Sequence, residues 1–208
     1  MKIVKYSFFF LPVIISVNVF AQNCFVECNE RLNRSVDTLV TTEQMSNKIH
    51  ETDPLSANHK ILNDLKGCDF PKIALNTAKG KTISISDFKG KPVFVSFWFT
   101  SCATCLAEIP SINKLSKEYG NTVVFLAINT DDLETLKEFL STNNYSAQHA
   151  YITHEAGYKE FCTIGGFPSN LILDKNGKVV DVWCGGESDP DKKEEFYKRI
   201  KSGLDKLK

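Results

Sequence analysis

The sequence lacks an excess of charge of either sign, because 25 Lys and Arg residues balance 25 Asp and Glu residues over 208 positions. Nucleic-acid-binding proteins normally carry a basic surplus that meets phosphate groups, so this balance argues against a nucleic-acid partner. Internal repeats and low-complexity tracts are also lacking, while 42 % of the residues are hydrophobic. This composition excludes a wholly disordered chain and fits one domain of ordinary size with a short additional segment.

The apolar stretch near the N-terminus, residues 8–20, is shorter than the roughly 20 residues that a membrane-spanning helix needs. Two lysines precede it and Ala21 follows it, so we expect residues 1–21 to be a secretory signal peptide. The mature protein is then exported, and its cysteines lie in an oxidising or redox-managed space. Two alternatives stay open: an uncleaved signal that anchors the protein, or a lipid attached to Cys24.

Residues with metal-ligand spacing are scarce. Apart from a Cys-x-x-Cys sequence at residues 102–105, the only close cysteine pair is Cys24-x3-Cys28, and no histidine pair lies at ligand spacing with it. A structural zinc site needs four such ligands. We therefore expect no metal and no cofactor other than a redox-active disulfide.

Apolar periodicity divides the mature chain into two parts. Residues 22–67 carry apolar side chains at helical spacing and predict a helical N-terminal extension. From Cys68 to Lys208 the pattern changes to short apolar runs separated by turn residues, which predicts a domain of its own.

The second part predicts an α/β domain. Val93–Phe99 and Val123–Ile128 are nearly continuous apolar runs, as in strands buried on both faces, and each precedes a helical pattern. Leu171–Asp174 and Val179–Trp183 flank Asn176-Gly177 and predict an antiparallel hairpin. A βαβ half followed by a ββα half is the thioredoxin-like arrangement, a central mixed sheet flanked by helices.

Helix ends are marked by individual residues. Gly120 is expected to stop the first helix of the domain, and Asp131 with Glu134 three residues later resembles a capping box that opens the second. Pro190 suits the first turn of the last helix.

Cys102-Ala103-Thr104-Cys105 lies where the first buried strand meets its helix. A thiol there faces unpaired backbone N–H groups and the positive end of the helix dipole, and both favour the thiolate. We therefore expect Cys102 to attack a disulfide and Cys105, one turn later, to resolve the mixed disulfide.

Phe97 to Cys105, followed by Glu108-Ile109-Pro110, resembles the active-site segment of the TlpA/ResA-like thiol-disulfide oxidoreductases of the thioredoxin superfamily. The resemblance covers residues 68–208. It implies a thioredoxin-like fold and a periplasmic disulfide reductase that acts on protein cysteines, with cytochrome c maturation as one process served. It further implies a membrane thiol-disulfide electron donor.

The same resemblance implies roles for single residues. Pro168 matches the superfamily's cis-proline, and Trp98, Thr100 and Phe167 complete the substrate-binding set. Glu108 matches an acid that influences thiol protonation, although a solvated first-turn carboxylate is an equal alternative.

Departures from the family pattern lie close to the catalytic thiols. Ser101 and Thr104 replace the Trp and Pro that many relatives carry beside and within Cys-x-x-Cys. Ser96 stands where cytoplasmic thioredoxins have a buried carboxylate, so Glu108 or water must take the proton of Cys105.

Five further cysteines need partners or burial. If Asp174 faces Val179 in the hairpin, Cys184 lies opposite Ser169, near Pro168. Cys162 leads into the same loop, so Cys162 and Cys184 are candidates for a second disulfide or an auxiliary exchange pair, with simple burial as the alternative. Cys24 and Cys28 compete for Cys68, and the leftover thiol is free, lipidated or paired elsewhere.

Two other functions compete with the reductase. One is a thioredoxin-like binding or scaffold module whose Cys-x-x-Cys is structural. The other is a peroxiredoxin-like peroxidase, but Pro92 lies ten residues before Cys102, which does not fit the peroxidase pattern.

Overall fold

The computed structural model describes residues 23–41, 60–163, 166–186 and 190–208. The expected signal peptide, residues 1–21, and residues 42–59 of the expected extension lie outside these ranges. Within them, no helix combines the length and apolar character needed to cross a membrane.

Strands and helices alternate along most of the described chain. In order they are α1 (Asn23–Thr41), β1 (Leu75–Thr77), β2 (Thr82–Ile83), β3 (Val93–Trp98), α2 (Ala103–Tyr119), β4 (Val124–Asn129), α3 (Leu133–Thr142), β5 (Gln148–Tyr151), α4 (His154–Phe161), β6 (Ser169–Leu173), β7 (Val179–Cys184) and α5 (Pro190–Asp205). Residues 60–63 are also helical, and Ile85–Phe88 and Gly120–Thr122 form 3₁₀ turns.

The strands form one mixed sheet in the order β2-β1-β5-β4-β3-β6-β7. The pairs β3–β4 and β4–β5 are parallel, and the other pairs are antiparallel. β3 and β4 are buried along their whole length, as their continuous apolar sequences predict. The predicted thioredoxin-like fold is confirmed.

Alternating side chains of β3 supply the core on both faces of the sheet. Val95 and Phe97 belong to the cluster that also contains residues of α1 and α4. Phe94 and Trp98 belong to the opposite cluster, which contains residues of α2, α3 and α5. A strand with period-two side chains between two helical layers must be apolar at every position, which explains its sequence.

The N-terminal helix α1 is part of the first core. Phe25, Cys28 and Leu32 lie on one face of α1 at helical spacing and are buried, and the Phe25 ring packs edge-on against Phe70. Two disulfides also join α1 to the rest of the chain. The helical extension is therefore covalently and sterically attached to the sheet.

Two local predictions are wrong in detail. Asp132, not Asp131, caps α3, and its side chain accepts the N–H of Thr135 at 2.8 Å. In the hairpin, Val179 pairs with Leu173, not with Asp174, because the register shifts at a bulge beside Ile172 and Leu173. Near the turn the count is therefore displaced by one residue.

Candidate active site

Cys102 and Cys105 form a disulfide at the N-terminus of α2, with a Cα–Cα distance of 5.2 Å. Cys102 is the N-cap residue, and its Sγ accepts the backbone N–H of Cys105 at 3.2 Å. This N–H belongs to the first turn of the helix, where donors have no helical acceptor. On reduction the same donor and the helix dipole stabilise a Cys102 thiolate, which is the nucleophilic form of cysteine.

The loop before Cys102 is held from the adjacent strand. The N–H of Thr100 donates to the Asp131 carboxylate at 2.7 Å, and the Asn129 side-chain amide donates to the same oxygen at 3.3 Å. Asp131 also donates its own N–H to the Asn129 side-chain oxygen at 2.7 Å. Because these bonds already engage the Asp131 carboxylate, the next residue, Asp132, takes the helix cap.

Trp98 does not offer a surface to substrate. Its side chain is fully buried, with its ring 5.1 Å from Phe139 and 5.2 Å from Tyr145 between ring centres. The prediction that it contacts substrate is therefore wrong, and its side chain belongs to the buried cluster that also contains Cys102 and Cys105. Thr100, which is half-buried, keeps access to solvent.

The Phe167–Pro168 peptide bond is cis, the isomer implied for Pro168 by the resemblance. The Pro168 carbonyl accepts the N–H of Gly185 at 2.8 Å, which ties the proline to the residue after β7. The half-buried Phe167 ring lies 5.3 Å from Phe99 and 5.3 Å from His154, measured between ring centres. The Phe99 ring, before Cys102, therefore packs against the Phe167 ring, before Pro168, and this contact joins the two loops.

Glu108 lies one helical turn beyond Cys105, on the same face of α2. Its side chain is only 3 % exposed, so the solvated first-turn carboxylate is excluded. Burial raises the pKa of this carboxyl from 4.5 to about 8, and a hydrogen bond with Asn170 opposes that rise. A carboxyl with this pKa exchanges a proton near neutral pH, as a general acid or base must.

Gly186 leaves room for this carboxyl beside the cis-proline. A Cβ atom at Gly186 would lie 2.9 Å from Glu108 Oε1 and 2.9 Å from Pro168 Cγ. Both distances are shorter than the contacts that Cβ atoms make in proteins, so an alanine here would force a shift. The absence of a side chain at Gly186 therefore lets α2, β7 and the proline loop converge on Glu108.

The predicted pair of Cys162 and Cys184 is wrong. Cys162 forms a disulfide with Cys28 of α1, and Cys24 forms one with Cys68. Cys162 is the C-cap of α4, in the left-handed conformation, not a residue of the helix itself. The long-range partner on α1 is 134 residues away, a distance that local counting along the hairpin cannot detect.

Cys184 lies opposite Ser169, as predicted, and is a thiol. Burial raises the pKa of Cys184 to about 11, Ser169 and the Gly185 backbone oppose the rise, and Glu108 adds to it. A thiol with this pKa holds little thiolate at neutral pH and is a poor nucleophile. The expectation of an auxiliary exchange thiol is therefore not supported at this position.

Sequence reasoning missed three residues that support the site: Asp131 as the acceptor for the loop backbone, Asn170 beside Glu108, and Gly186. The sequence contained a recognisable pattern for two of them, Asn170 and Gly186. Asn170 is a polar residue at the start of an apolar run, and Gly185-Gly186 follows a strand directly. Asp131 gave no such signal because its neighbour Asp132 is chemically identical.

A thioredoxin-type sheet, a Cys-x-x-Cys disulfide at a helix N-terminus and a cis-proline beside it define a thioredoxin-superfamily thiol-disulfide oxidoreductase. The sequence profile of the Redoxin family matches residues 65–200. The chain belongs to the Redoxin family and, within it, to the TlpA/ResA-like thiol-disulfide oxidoreductases.

Two curated relatives place the chain in this branch. Thiol-disulfide oxidoreductase ResA of Bacillus thuringiensis is 32 % identical over 138 residues, which cover 64 % of this chain and 78 % of the relative. Thioredoxin-like protein YneN of Bacillus subtilis is 29 % identical over 122 residues, which cover 58 % and 72 %.

A solved structure agrees with the fold. A crystal structure described as the thiol:disulfide interchange protein DsbE of Chlorobium tepidum has a TM-score of 0.59 and 26 % identity, covering 67 % of this chain and 97 % of that one. The structural-scaffold alternative for the Cys-x-x-Cys sequence is thereby set aside, since the chain is a thiol-disulfide oxidoreductase.

Proposed function

We propose that this protein is an exported disulfide reductase that acts on protein cysteines, with Cys102 as the attacking thiol and Cys105 as the resolving thiol. The hydrogen bond from the Cys105 N–H to Cys102 Sγ carries the proposal, because it places a donor and the helix dipole at the sulfur that must become a thiolate. The same donor has no comparable role for a cysteine that only cross-links the fold.

The reaction transfers two electrons in two exchange steps. The Cys102 thiolate attacks one sulfur of the substrate disulfide, forms a mixed disulfide and releases the first substrate thiolate, which takes a proton from solvent. Cys105 then gives its proton to the Glu108 carboxylate and attacks the Cys102 sulfur. The Cys102–Cys105 disulfide closes and the second substrate sulfur leaves as a thiolate, which takes a proton from solvent, so the substrate is reduced.

Substrate polypeptide lies along the cis-proline loop in this proposal. Pro168 is buried and bonded to Gly185, while Phe167 next to it is half-buried and stacked on His154. An extended substrate segment that pairs with the Phe167 backbone brings its cysteine toward Cys102. Thr100 is half-buried and follows Phe99, whose ring packs against Phe167, so both lie beside this loop.

The process and partners follow the family implication. The protein needs no cofactor beyond its disulfide, and a membrane thiol-disulfide carrier returns electrons to Cys102 and Cys105. Residues 1–21 direct it to the periplasm. Cytochrome c maturation is the process in which such a reductase supplies the reduced thiols of Cys-x-x-Cys-His segments to which haem attaches.

The exchange mechanism is tested with the purified reduced protein and an oxidised Cys-x-x-Cys-His peptide. We expect Cys102→Ser to abolish peptide reduction and Cys105→Ser to accumulate a mixed disulfide between Cys102 and the peptide. Cys184→Ala is the matched control, because it removes a buried thiol of high pKa, and it should retain the activity. Equal activity of Cys102→Ser and the unmodified protein would refute the mechanism.

The expected localisation is tested separately in cells. After reduction, we expect the protein in intact cells to react with a membrane-impermeant thiol reagent. We also expect the isolated protein to lack residues 1–21. Reaction only after lysis of the cytoplasmic membrane contradicts the proposed location.

A further inference from the structure

A pair of buried polar side chains, Glu108 of α2 and Asn170 of β6, joins the helix that begins after Cys102 to the sheet. The Asn170 amide nitrogen donates to both oxygens of the Glu108 carboxyl, at 3.2 Å and 3.5 Å. Asn170 is fully buried on β6, two residues after Pro168. An amide in the middle of a sheet costs free energy unless its hydrogen bonds are made, so its presence among apolar neighbours calls for a role.

We propose that Asn170 is a positioning residue for disulfide exchange: its amide holds the Glu108 carboxyl one turn beyond Cys105 and favours the form that accepts the Cys105 proton. The proposal rests on the reductase mechanism stated above. It concerns a residue that acts through Glu108 and not on the substrate itself.

The backbone around Asn170 makes its amide a fixed donor. Asn170 pairs with Ser96 of β3 on one side and with Trp183 of β7 on the other, so its strand lies inside the sheet. A side chain on an internal strand has little freedom to follow a moving partner. The direction from which Glu108 receives its hydrogen bond is therefore set by the sheet, while α2 supplies the carboxyl.

Other titratable groups face Glu108 from the elements around it. Tyr145, before β5, has a pKa raised by burial and then by Glu108, and it shares a side-chain hydrogen bond with Ser96. Burial, with a contribution from Glu108, raises the pKa of Cys184 of β7 to about 11, so this thiol is protonated at neutral pH. On α2 itself, reduction adds the thiols of Cys102 and Cys105.

Within the described chain, Asn170 is the partner that lowers the pKa of Glu108, against the burial that raises it. Tyr145 and Cys184 become negatively charged when they ionise, so neither adds a charge that favours the Glu108 carboxylate. Without the Asn170 donor, burial acts alone and the carboxyl stays protonated to higher pH. A protonated Glu108 cannot accept the Cys105 proton, so the resolving step slows at neutral pH and recovers in alkaline solution.

The test uses two variants that both lack the donor. Asn170→Leu has a similar size and is apolar, while Asn170→Ala removes the amide without adding another polar group. A hydrogen bond to a charged group corresponds to about 1 to 2 pH units, so we expect the alkaline rise of the resolution rate to move upward by at least about one unit. At pH 7 the rate should then fall about tenfold.

The direct readout is the titration of the Glu108 carboxyl, monitored by carbon-13 NMR on the oxidised full-length protein. Its midpoint should move upward in both variants, whatever the activity. In a Glu108→Gln background, Asn170→Leu should produce no further shift of the pH–rate profile, because the titrating group is gone.

Three outcomes overturn the proposal. They are an unchanged Glu108 midpoint, a rate that falls equally at every pH, or a shift that persists in the Glu108→Gln background. If Asn170→Leu does not fold, Asn170→Ala carries the same NMR titration. Failure of the reductase mechanism is distinguishable, since Cys102→Ser would then remain active while the Glu108 midpoint still moved.

Discussion

The disulfide between Cys28 and Cys162 should contribute more to stability than the one between Cys24 and Cys68, although both attach the same helix. The first closes 134 residues of chain and the second 44. Replacing each pair by alanine removes two sulfur atoms from each variant. Cys28 and Cys162 are buried whereas Cys24 and Cys68 are half-buried, so lost packing adds to the loop-length effect in the first pair. Alanine also leaves no stray thiol that could pair with Cys184.

The magnitude follows from the loop entropy that each bond removes from the unfolded chain. Closure over 134 residues corresponds to about 5 kcal/mol and closure over 44 residues to about 4 kcal/mol. Because both bonds start on α1, each shortens the loop left for the other, which lowers both values by less than about 1 kcal/mol. The expected difference between the two variants stays at about 1 kcal/mol.

Urea unfolding at pH 7 measures both losses, with the Cys102–Cys105 disulfide oxidised in every sample. The free energy of unfolding should fall most for Cys28→Ala with Cys162→Ala, and less for Cys24→Ala with Cys68→Ala. An equal or larger loss in the second variant refutes the loop-length reasoning. No loss in either variant would mean that α1 is not attached as described.

Two further predictions concern the buried carboxyl. Gly186→Ala places a Cβ 2.9 Å from both Glu108 Oε1 and Pro168 Cγ, so the buried carboxyl or the cis-proline must move. The exchange rate should then fall by at least about tenfold, and a kcat and KM equal to those of the unmodified protein would contradict this. Glu108→Gln should remove a pH dependence of stability: the folded-state pKa of about 8 lies above the ordinary 4.5, so the folded protein binds the proton more tightly and loses stability as pH rises between these values. Urea unfolding at pH 5, 7 and 9 checks it, and identical pH profiles of the two proteins would refute it.

Local patterns in the sequence were sufficient for the catalytic pair. Cys102 and Cys105 could be placed because a buried strand followed by a helical pattern fixes where the helix begins. Counting along the hairpin also placed Cys184 opposite Ser169 correctly, although the count failed near the turn at Val179. The bulge displaces the pairs next to the turn without changing the alignment of the strand ends that face the active site.

Long-range contacts could not be derived in the same way. Cys162 had one candidate partner within reach of local counting, Cys184, and the actual partner, Cys28, is brought near only when α1 packs against α4. Strand β5, Gln148–Tyr151, was not predicted because its polar first residues hide a short strand that pairs with β4 and β1. The burial of Glu108 likewise depends on Asn170 of β6 and on Gly186, which follows β7, and both lie far along the chain.

The attachment of α1 also decides how the molecule responds to mechanical load. A pull on the chain ahead of Asn23 reaches Cys24 after one residue, and the bond to Cys68 carries it directly to the segment before β1. One helical turn later, Cys28 transmits the same pull to Cys162 at the end of α4. The force therefore travels through covalent bonds to two separate segments that pack on the same face of the sheet, and α1 does not have to peel away before the domain feels the tension.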